Sequence, residues 1–151
     1  MSAEIEFRAF PTLSGAELHD LLKLRFDVFV MEQQSLYPEI DGKDPVSLHA
    51  LAREGEEIVG TLRLTGLEGS GEVNLGRIAL RADRRRDGLG GRMIRAALAR
   101  AAEAAPGRRL GIEAQAHLQP YYERFGFERV SDEYMDGGIP HVDMALTLPA
   151  T

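Results

Sequence analysis

A glycine-rich turn between a predicted strand and a predicted helix is the part of the sequence best suited to bind phosphate. The apolar run Val73–Leu80 leads into a charged segment that contains Gly88, Gly90 and Gly91, and apolar residues then recur with helical spacing. The first turn of a helix leaves backbone N–H groups unpaired and carries the positive end of the helix dipole. Because glycines let a ligand approach the backbone closely, this turn predicts an anion site.

Positive charge is concentrated around the same turn. Nine of the 18 Lys and Arg residues lie between Arg81 and Arg109, where there are only three acids, although the whole chain has a net charge of −6. An acidic chain is a poor candidate for general nucleic-acid or membrane binding, so we expect neither partner. The local charge favours a small polyphosphate ligand, and a solvated arginine-rich helix face is the alternative.

Other kinds of site are disfavoured by composition and spacing. The chain has no cysteine, which excludes disulfides, thiolate metal ligands and a cysteine nucleophile. Its four histidines show no H-x-x-x-H or H-E-x-x-H spacing, so we expect no metal. The turn lacks the G-K-[S/T] of a P-loop and the third spaced glycine of a Rossmann site.

The turn also resembles the signature of a known superfamily. Residues 85–90 read Arg-Arg-Asp-Gly-Leu-Gly and fit the R/Q-x-x-G-x-G/A pattern of the GNAT acetyltransferases, and residues 122–127 fit their Y-x-x-x-G-F pattern. Further segments resemble the ElaA-type subgroup, namely residues 28–33, 41–42, 114–119 and 138–141. The resemblance covers most of the chain.

This resemblance implies an acetyl-CoA-dependent N-acetyltransferase that moves an acetyl group to a primary amine by direct transfer. The turn and helix start would hold the pyrophosphate of acetyl-CoA, with Arg85, Arg86, Asp87, Gly88, Leu89, Gly90 and Gly91 as candidates. The strand backbone would hold the pantetheine arm and polarise the thioester carbonyl, with Ile78, Ala79 and Leu80 as candidates.

Acetyl transfer from a thioester to an amine also benefits from an acid near the departing thiolate. Tyr122 lies four residues before Gly126, where the family places its general acid. Tyr121 points about 100° away around the helix and shares a face with Phe125. We therefore expect Tyr122 to be catalytic and Tyr121 to belong to the core.

The general base is left open. Many relatives carry a glutamate where this chain has Asn74, which cannot act as a base. His117 and His141 are favoured as catalytic residues, because an unperturbed imidazole titrates near neutral pH. Glu113, Glu32 and a water relay to bulk solvent are the other choices.

The segment 33–45 has no periodicity and contains several loop signals. In the family this region covers the acceptor site, and the candidate substrate contacts are Glu32, Tyr37, Glu39 and Asp41, together with Glu113. These acids suit a cationic acceptor, or they neutralise Arg25 or Arg77. Because Arg25 lies on an apolar helix face, it needs an acidic partner, and Asp41 or Glu32 is expected in that role.

Predicted strands and helices must position these groups. Strands are predicted over residues 5–10, 48–53, 58–64, 73–80 and 110–114, with a closing hairpin over 127–134 and 140–148. A helix that begins at the capping box of Ser14 and Glu17 continues to about Met31. A second helix joins strands 73–80 and 110–114, which makes these strands parallel.

We therefore expect a mixed α/β fold in one domain over residues 1–151. With the resemblance, this is the GNAT fold: a single twisted mixed sheet of about six or seven strands, helices on both faces and a splayed central strand pair.

Two other functions stay open. A non-enzymatic acyl-CoA-binding or sensor module would keep the turn without turnover, and Asn74 favours this alternative. Acyl-homoserine-lactone synthesis is a third, because residues 25–29 distantly resemble those synthases.

The N-terminus lacks the pattern of a signal peptide and no apolar run approaches about 18 residues, so we expect a cytoplasmic location. The oligomeric state is open, a homodimer included.

Overall fold

The computed structural model describes residues 3–35 and 38–150, whose strands form one open mixed sheet. The eight strands are β1 (Glu4–Ala9), β2 (Ser47–Glu54), β3 (Glu57–Thr65), β4 (Val73–Leu80), β5 (Arg109–Gln115), β6 (Glu128–Arg129), β7 (Tyr134–Asp136) and β8 (Ile139–Thr147). They follow the order β1-β2-β3-β4-β5-β8-β6, and β7 also pairs with β8. The predicted mixed sheet is confirmed. It has more strands than expected because the first strand of the closing hairpin is divided into β6 and β7.

The central parallel strands β4 and β5 separate after two residue pairs. Val73 lies opposite Leu110 and Asn74 opposite Gly111. Farther along β4 the register against β3 shifts, and Arg77 adopts a φ of 50°. A β-bulge of this kind bends its strand. The predicted splayed pair is confirmed, and the edge of β4 beyond Asn74 is not paired with β5.

Helices cover both faces of this sheet, as predicted. They are α1 (Gly15–Phe26), which a π-helical segment (Asp27–Glu32) extends, α2 (Leu89–Ala104) and α3 (Gln119–Glu123). The predicted capping box begins α1, since Ser14 and Glu17 exchange side-chain to backbone hydrogen bonds. Leu24 and Val28 pack against Ala79 of β4 in one apolar cluster, and α2 packs into a separate, larger cluster.

A buried arginine fastens the loop before β2 to α1. Arg25 is only 1% exposed. Its Nε lies 2.6 Å from Oε1 of Glu39, and its Nη1 lies 2.7 Å from Oδ1 of Asp44. The expected partners Asp41 and Glu32 were therefore wrong, and the need for an acidic partner was right.

Two further arginines, from the sheet, complete the attachment of the loop. Arg63 of β3 pairs with Asp41 at 2.5 Å and with Asp44 at 3.0 Å. Arg77 of the β4 bulge pairs with Glu39 at 3.2 Å. The Arg63 hydrogen bonds hold the pKa of the Asp41 carboxyl well below its usual range. The loop is thus fixed by side chains of alternating charge type.

His49 of β2 also binds the loop. Its side chain is fully buried, and its Nε2 lies 2.9 Å from the backbone carbonyl oxygen of Asp44. A carbonyl oxygen only accepts hydrogen bonds, so Nε2 carries the proton and donates it. Burial lowers the pKa of His49, and the nearby Arg25 and Arg63 lower it further. The neutral imidazole is therefore the form that the fold accommodates.

Replacing Arg25 by alanine should strongly destabilise the protein. The change removes the arginine that Glu39 and Asp44 share and leaves each acid with one partner, Arg77 and Arg63 respectively. Removing one partner of a buried ion pair costs about 3–5 kcal/mol, and the remaining arginines should keep the loss toward the lower end of this range. The free energy of unfolding from urea titration measures this loss. Lys23→Ala is the matched control on the same helix, because Lys23 is 65% exposed and its pair with Asp27 should contribute less than about 1 kcal/mol. Equal losses in the two variants would contradict the role given to Arg25.

Stability should fall as the pH drops below about 6.5, and His49 should cause much of that fall. Its pKa is lower in the folded chain than its unfolded value near 6.5, so the unfolded chain binds the proton more tightly. The stabilising contribution is complete above about pH 6.5 and is lost as the pH falls toward the folded-state pKa. Urea titrations between pH 7.5 and 5 give the free energy of unfolding at each pH. This free energy should change less steeply with pH in His49→Gln than in the wild type. His19→Gln, at a side chain that is 74% exposed, should leave the slope unchanged.

Candidate active site

A cleft of about 860 Å³ opens where β4 and β5 separate. Its walls come from the π-helical segment and following loop, β3 to β5, the start of α2, α3 and the β7–β8 hairpin. Nine of the residues proposed from the sequence line it: Asp41, Ile78, Leu80, Arg85, Gly90, Glu113, His117, Tyr122 and His141. Segments far apart in the chain thus meet at one concave surface, which is the default place to look for ligand binding.

The remaining candidates lie around the cleft or outside the described residues. Ala79 is buried against α1, so only its backbone can face a ligand. Glu32 lies at the cleft edge, where its carboxylate is 2.7 Å from Nη2 of Arg85. Tyr37 falls outside the described residues. The other candidates, which belong to the glycine-rich turn and do not line the cleft wall, are Arg86, Asp87, Gly88, Leu89 and Gly91.

The glycine-rich turn presents the start of α2 to the cleft. Gly88 adopts a φ of 89° just before the helix, a conformation that favours glycine. Leu89 is buried and anchors the helix in the core. Oδ1 of Asp87 accepts the N–H of Leu89 at 3.1 Å, so Asp87 caps the helix. The N–H groups of Gly90 and Gly91 follow in the first turn, where no helical acceptor is available.

Gly90 lets two side chains of the cleft lie close to the start of α2. A Cβ at this position would lie 3.2 Å from Cδ1 of Leu80 and 3.5 Å from the hydroxyl oxygen of Tyr121. Arg85 bends back from the same turn, and its Nη2 donates to the Leu80 carbonyl at 2.9 Å. Guanidinium charge, first-turn N–H groups and a missing side chain therefore meet at the end of β4, as an anionic ligand requires.

The two neighbouring tyrosines of α3 are placed differently from expectation. Tyr122 packs against the core and its ring meets that of buried Phe127 edge-on at 6.1 Å. Burial raises the pKa of Tyr122 to about 12. Tyr121 also lines the cleft, with its hydroxyl near Gly90. The expectation that Tyr121 is the core residue of the pair was wrong, because Tyr122 packs against the apolar core cluster whereas Tyr121 lines the cleft outside it.

His141 is held in a defined orientation. Its Nδ1 lies 2.7 Å from the carbonyl oxygen of Ile139 and must donate to it. The neutral ring then carries a lone pair on Nε2, which can accept a proton. His117, by contrast, is an exposed residue of the turn that follows β5, and Glu113 lies exposed on β5. The structure thus brings both histidines to the cleft and orients one of them.

Sequence reasoning missed several residues of the cleft. Arg63 and Arg77 line it, and their ion pairs neutralise Asp41, which had been considered a substrate contact. An arginine in an otherwise apolar strand was the available signal, since such a charge needs a partner. Gln33 and Gln115 line it as well, and Nε2 of Gln115 lies 3.4 Å from Oε1 of Gln33. Both glutamines lie in segments that resemble the ElaA-type subgroup, but neither was singled out as a site residue.

Within residues 3–35 and 38–150, no group of three or more His, Cys, Asp or Glu side chains is placed to hold a metal ion. No helix of this part of the chain is long and apolar enough to cross a membrane.

Comparison with known proteins accounts for this architecture. A model of the family "Acetyltransferase (GNAT) domain" matches residues 12–148. Protein ElaA of Escherichia coli K12 is 35% identical over 136 residues, which cover 88% of this chain and 89% of ElaA. The crystal structure of an acyl-CoA N-acyltransferase from Pseudomonas aeruginosa superimposes with a TM-score of 0.89 at 35% identity, covering 95% of this chain and 99% of that one. The crystal structure of E. coli ElaA superimposes with a TM-score of 0.89 at 32% identity, covering 95% of this chain and 98% of that one. The chain belongs to the GNAT acetyltransferase family and to its ElaA-like subgroup.

Proposed function

We propose that this protein is an acetyl-CoA-dependent N-acetyltransferase that moves the acetyl group directly to a primary amine. The observation that carries the proposal is the cleft between β4 and β5, which joins the glycine-rich start of α2 to Tyr122 and His141. Membership of the GNAT family and likeness to an acyl-CoA N-acyltransferase support it. The single domain, the cytoplasmic location and the homodimer stay predictions.

The residues of the cleft suit the donor in two places. The N–H groups of Gly90 and Gly91 and the charge of Arg85 would bind the pyrophosphate. The pantetheine arm carries amide groups, and the unpaired edge of β4 at Ile78 to Leu80 can pair with them as an added strand would. Arg85 must then exchange Glu32, at 2.7 Å, for phosphate. The arrangement therefore fits an extended molecule with a charged end.

The chemical step needs few groups. The amine nitrogen attacks the thioester carbon while Nε2 of His141 takes up its proton. A backbone N–H of the β4 bulge, near Ile78, stabilises the charge that develops on the carbonyl oxygen. The C–S bond then breaks, and the Tyr122 hydroxyl delivers a proton to the departing sulfur. With a pKa near 12, Tyr122 holds that proton at neutral pH. Proton exchange with solvent restores both side chains.

The acceptor would enter from the side of the β7–β8 hairpin. Asp41 is balanced by Arg63, so it contributes little free charge, whereas Glu32 would lose its partner once Arg85 binds phosphate. Glu113 lies exposed on the facing strand and lines the cleft. We propose Glu113 as the acid that contacts the acceptor, and His117 as a polar contact at the entrance.

Two measurements test the function. Calorimetric titration with acetyl-CoA should show binding at micromolar concentrations. Thiol release should follow when ethylamine, 1,4-diaminobutane or a lysine-containing peptide is added, and the absence of cysteine from the chain means that a thiol reagent detects only free CoA. Absence of binding would overturn the proposal. Binding without thiol release across a broad amine panel would favour a non-enzymatic acyl-CoA-binding module, for which Asn74 is the motive.

Gly90→Asp should abolish tight binding of acetyl-CoA. The new carboxylate would stand where the pyrophosphate approaches, so we expect at least a tenfold higher Kd in calorimetry. An acid in the first turn favours the helix itself, and the fold should therefore persist. Gly90→Ala is the matched control, because it adds the same Cβ near Leu80 without the charge. If both variants bind as the wild type does, the phosphate site has been placed wrongly.

Tyr122→Phe should lower kcat by about 100-fold, the range expected for loss of one positioned acid. The Kd for acetyl-CoA should stay nearly constant, because the change does not touch the turn at residues 85–91. Tyr121→Phe removes a hydroxyl beside Gly90 and should raise the Kd for acetyl-CoA with little change in kcat. A kcat loss confined to Tyr121→Phe would transfer the acid role to Tyr121.

A further inference from the structure

The hairpin that carries His141 has a register set by its turn. Gly137 and Gly138, with φ values of 59° and 80°, connect β7 to β8. Two left-handed residues form the type I′ turn that matches the twist of a two-stranded hairpin. The resulting register places Tyr134 directly opposite His141. Cross-strand neighbours project on the same face of a sheet, so the two rings meet there.

The ring of Tyr134 covers the imidazole of His141. The ring centroids are 6.1 Å apart and the planes differ by 26°, which is a stacked arrangement. The bond from Nδ1 to the Ile139 carbonyl restrains His141 at one edge. Together the stack and this bond restrain the plane of the imidazole and the direction of its Nε2 lone pair.

Tyr134 is itself anchored. Its hydroxyl donates to Oδ1 of Asp143, which lies two residues beyond His141 and hence on the same face of β8. The N–H of Asp143 donates to Oγ of Ser131 at 2.8 Å, and the N–H of Val130 donates to the Asp143 carbonyl at 2.8 Å. Burial and the bond to Asp143 raise the pKa of Tyr134, so the hydroxyl remains a donor. The segment between β6 and β7 therefore fixes Asp143, which in turn holds the Tyr134 side chain.

We propose that Tyr134, held by Asp143, is a positioning residue that keeps His141 in the tautomer and orientation of a general base. The proposal rests on the proposed function, in which His141 accepts the proton of the amine. Tyr134 touches neither the donor nor the reacting atoms in this scheme. It acts through the imidazole, as a group that orients a catalytic base does.

Charged and titratable groups reach this face from each strand around His141. They are Glu113 from β5, Asp143 from β8, Asp136 and Tyr134 from β7, and His117 from the turn after β5. In the proposed step these groups face the ring that takes up the proton of the amine. Loss of the Tyr134 hydroxyl would free Asp143 to move relative to His141, so the pH dependence of the rate is a second property that Tyr134 controls.

The experiment compares Tyr134→Phe, which keeps the stacked ring, with Tyr134→Leu, which removes it. Nitrogen-15 NMR of the ligand-free protein reads the tautomer of His141 directly. We expect protonation mainly at Nδ1 in the wild type and a mixture of tautomers in Tyr134→Leu, with Tyr134→Phe between them. Met135→Leu is the control, because Met135 is the exposed neighbour on β7 and does not line the cleft. An unchanged tautomer in Tyr134→Leu would overturn the proposal.

Kinetics with acetyl-CoA and 1,4-diaminobutane supply the second readout. Tyr134→Leu should lower kcat by about 100-fold, the cost of a misplaced catalytic group, and should shift the acidic limb of the pH–rate profile. Its Kd for acetyl-CoA should be unchanged. A lower melting temperature of Tyr134→Leu with an unaltered His141 tautomer and pH–rate profile would make the role of Tyr134 structural and would contradict the proposal. Full activity of His141→Gln would instead refute the proposed role of His141, and the NMR result would still decide whether Tyr134 orients the ring.

Discussion

The separation of β4 from β5 is the constraint on which the rest of the structure depends. Parallel neighbours would normally pair along their whole length, yet here pairing ends at Asn74 and Gly111. The bulge at Arg77 turns β4 aside and leaves backbone donors and acceptors along one edge of the strand. Buried backbone groups need partners, so this edge is prepared for an extended ligand with amide groups of its own. The bulge thus accompanies both the cleft and the strand edge that is proposed to bind the donor.

Arg77 also connects the opened strand to the opposite wall. Arg77 has a left-handed backbone conformation and extends its side chain to the loop before β2. There its Nη2 is 3.4 Å from the carbonyl oxygens of Pro38 and Glu39. Arg25 and Arg63 hold the same loop from α1 and β3. A buried ion pair is weak support for stability, because desolvation offsets most of its attraction. Its directional bonds nevertheless select one path for a loop whose regular structure, among the described residues, is limited to the 3-10 turn Asp44–Val46.

The parts that could be predicted from the sequence are those whose signals are local. The capping box of Ser14 and Glu17, the glycine-rich turn and the amphipathic α2 each depend on neighbouring residues, and each occurs as expected. The partners of Arg25 could not be predicted, because the approach of Glu39 and Asp44 depends on the path of an irregular loop. The division of the last hairpin into β6 and β7 likewise depends on bonds between Asp143 and the 130–131 segment.

Prediction of the candidate site was limited in the same way, and the structure shows how the surroundings of Tyr122 and His141, the two groups proposed to transfer protons, differ. Tyr122 lies against apolar neighbours, including Phe127, which raise its pKa and keep its proton in place until charge develops on the sulfur. His141 lies on the polar face of β8, on the same side of the sheet as Asp143 and Glu113. An acid must resist ionisation before the reaction and a base must tolerate ionisation after it. The fold provides one environment of each kind because α3 packs on the apolar core while the β7–β8 hairpin faces the open cleft, and the residue types alone did not distinguish these two surroundings.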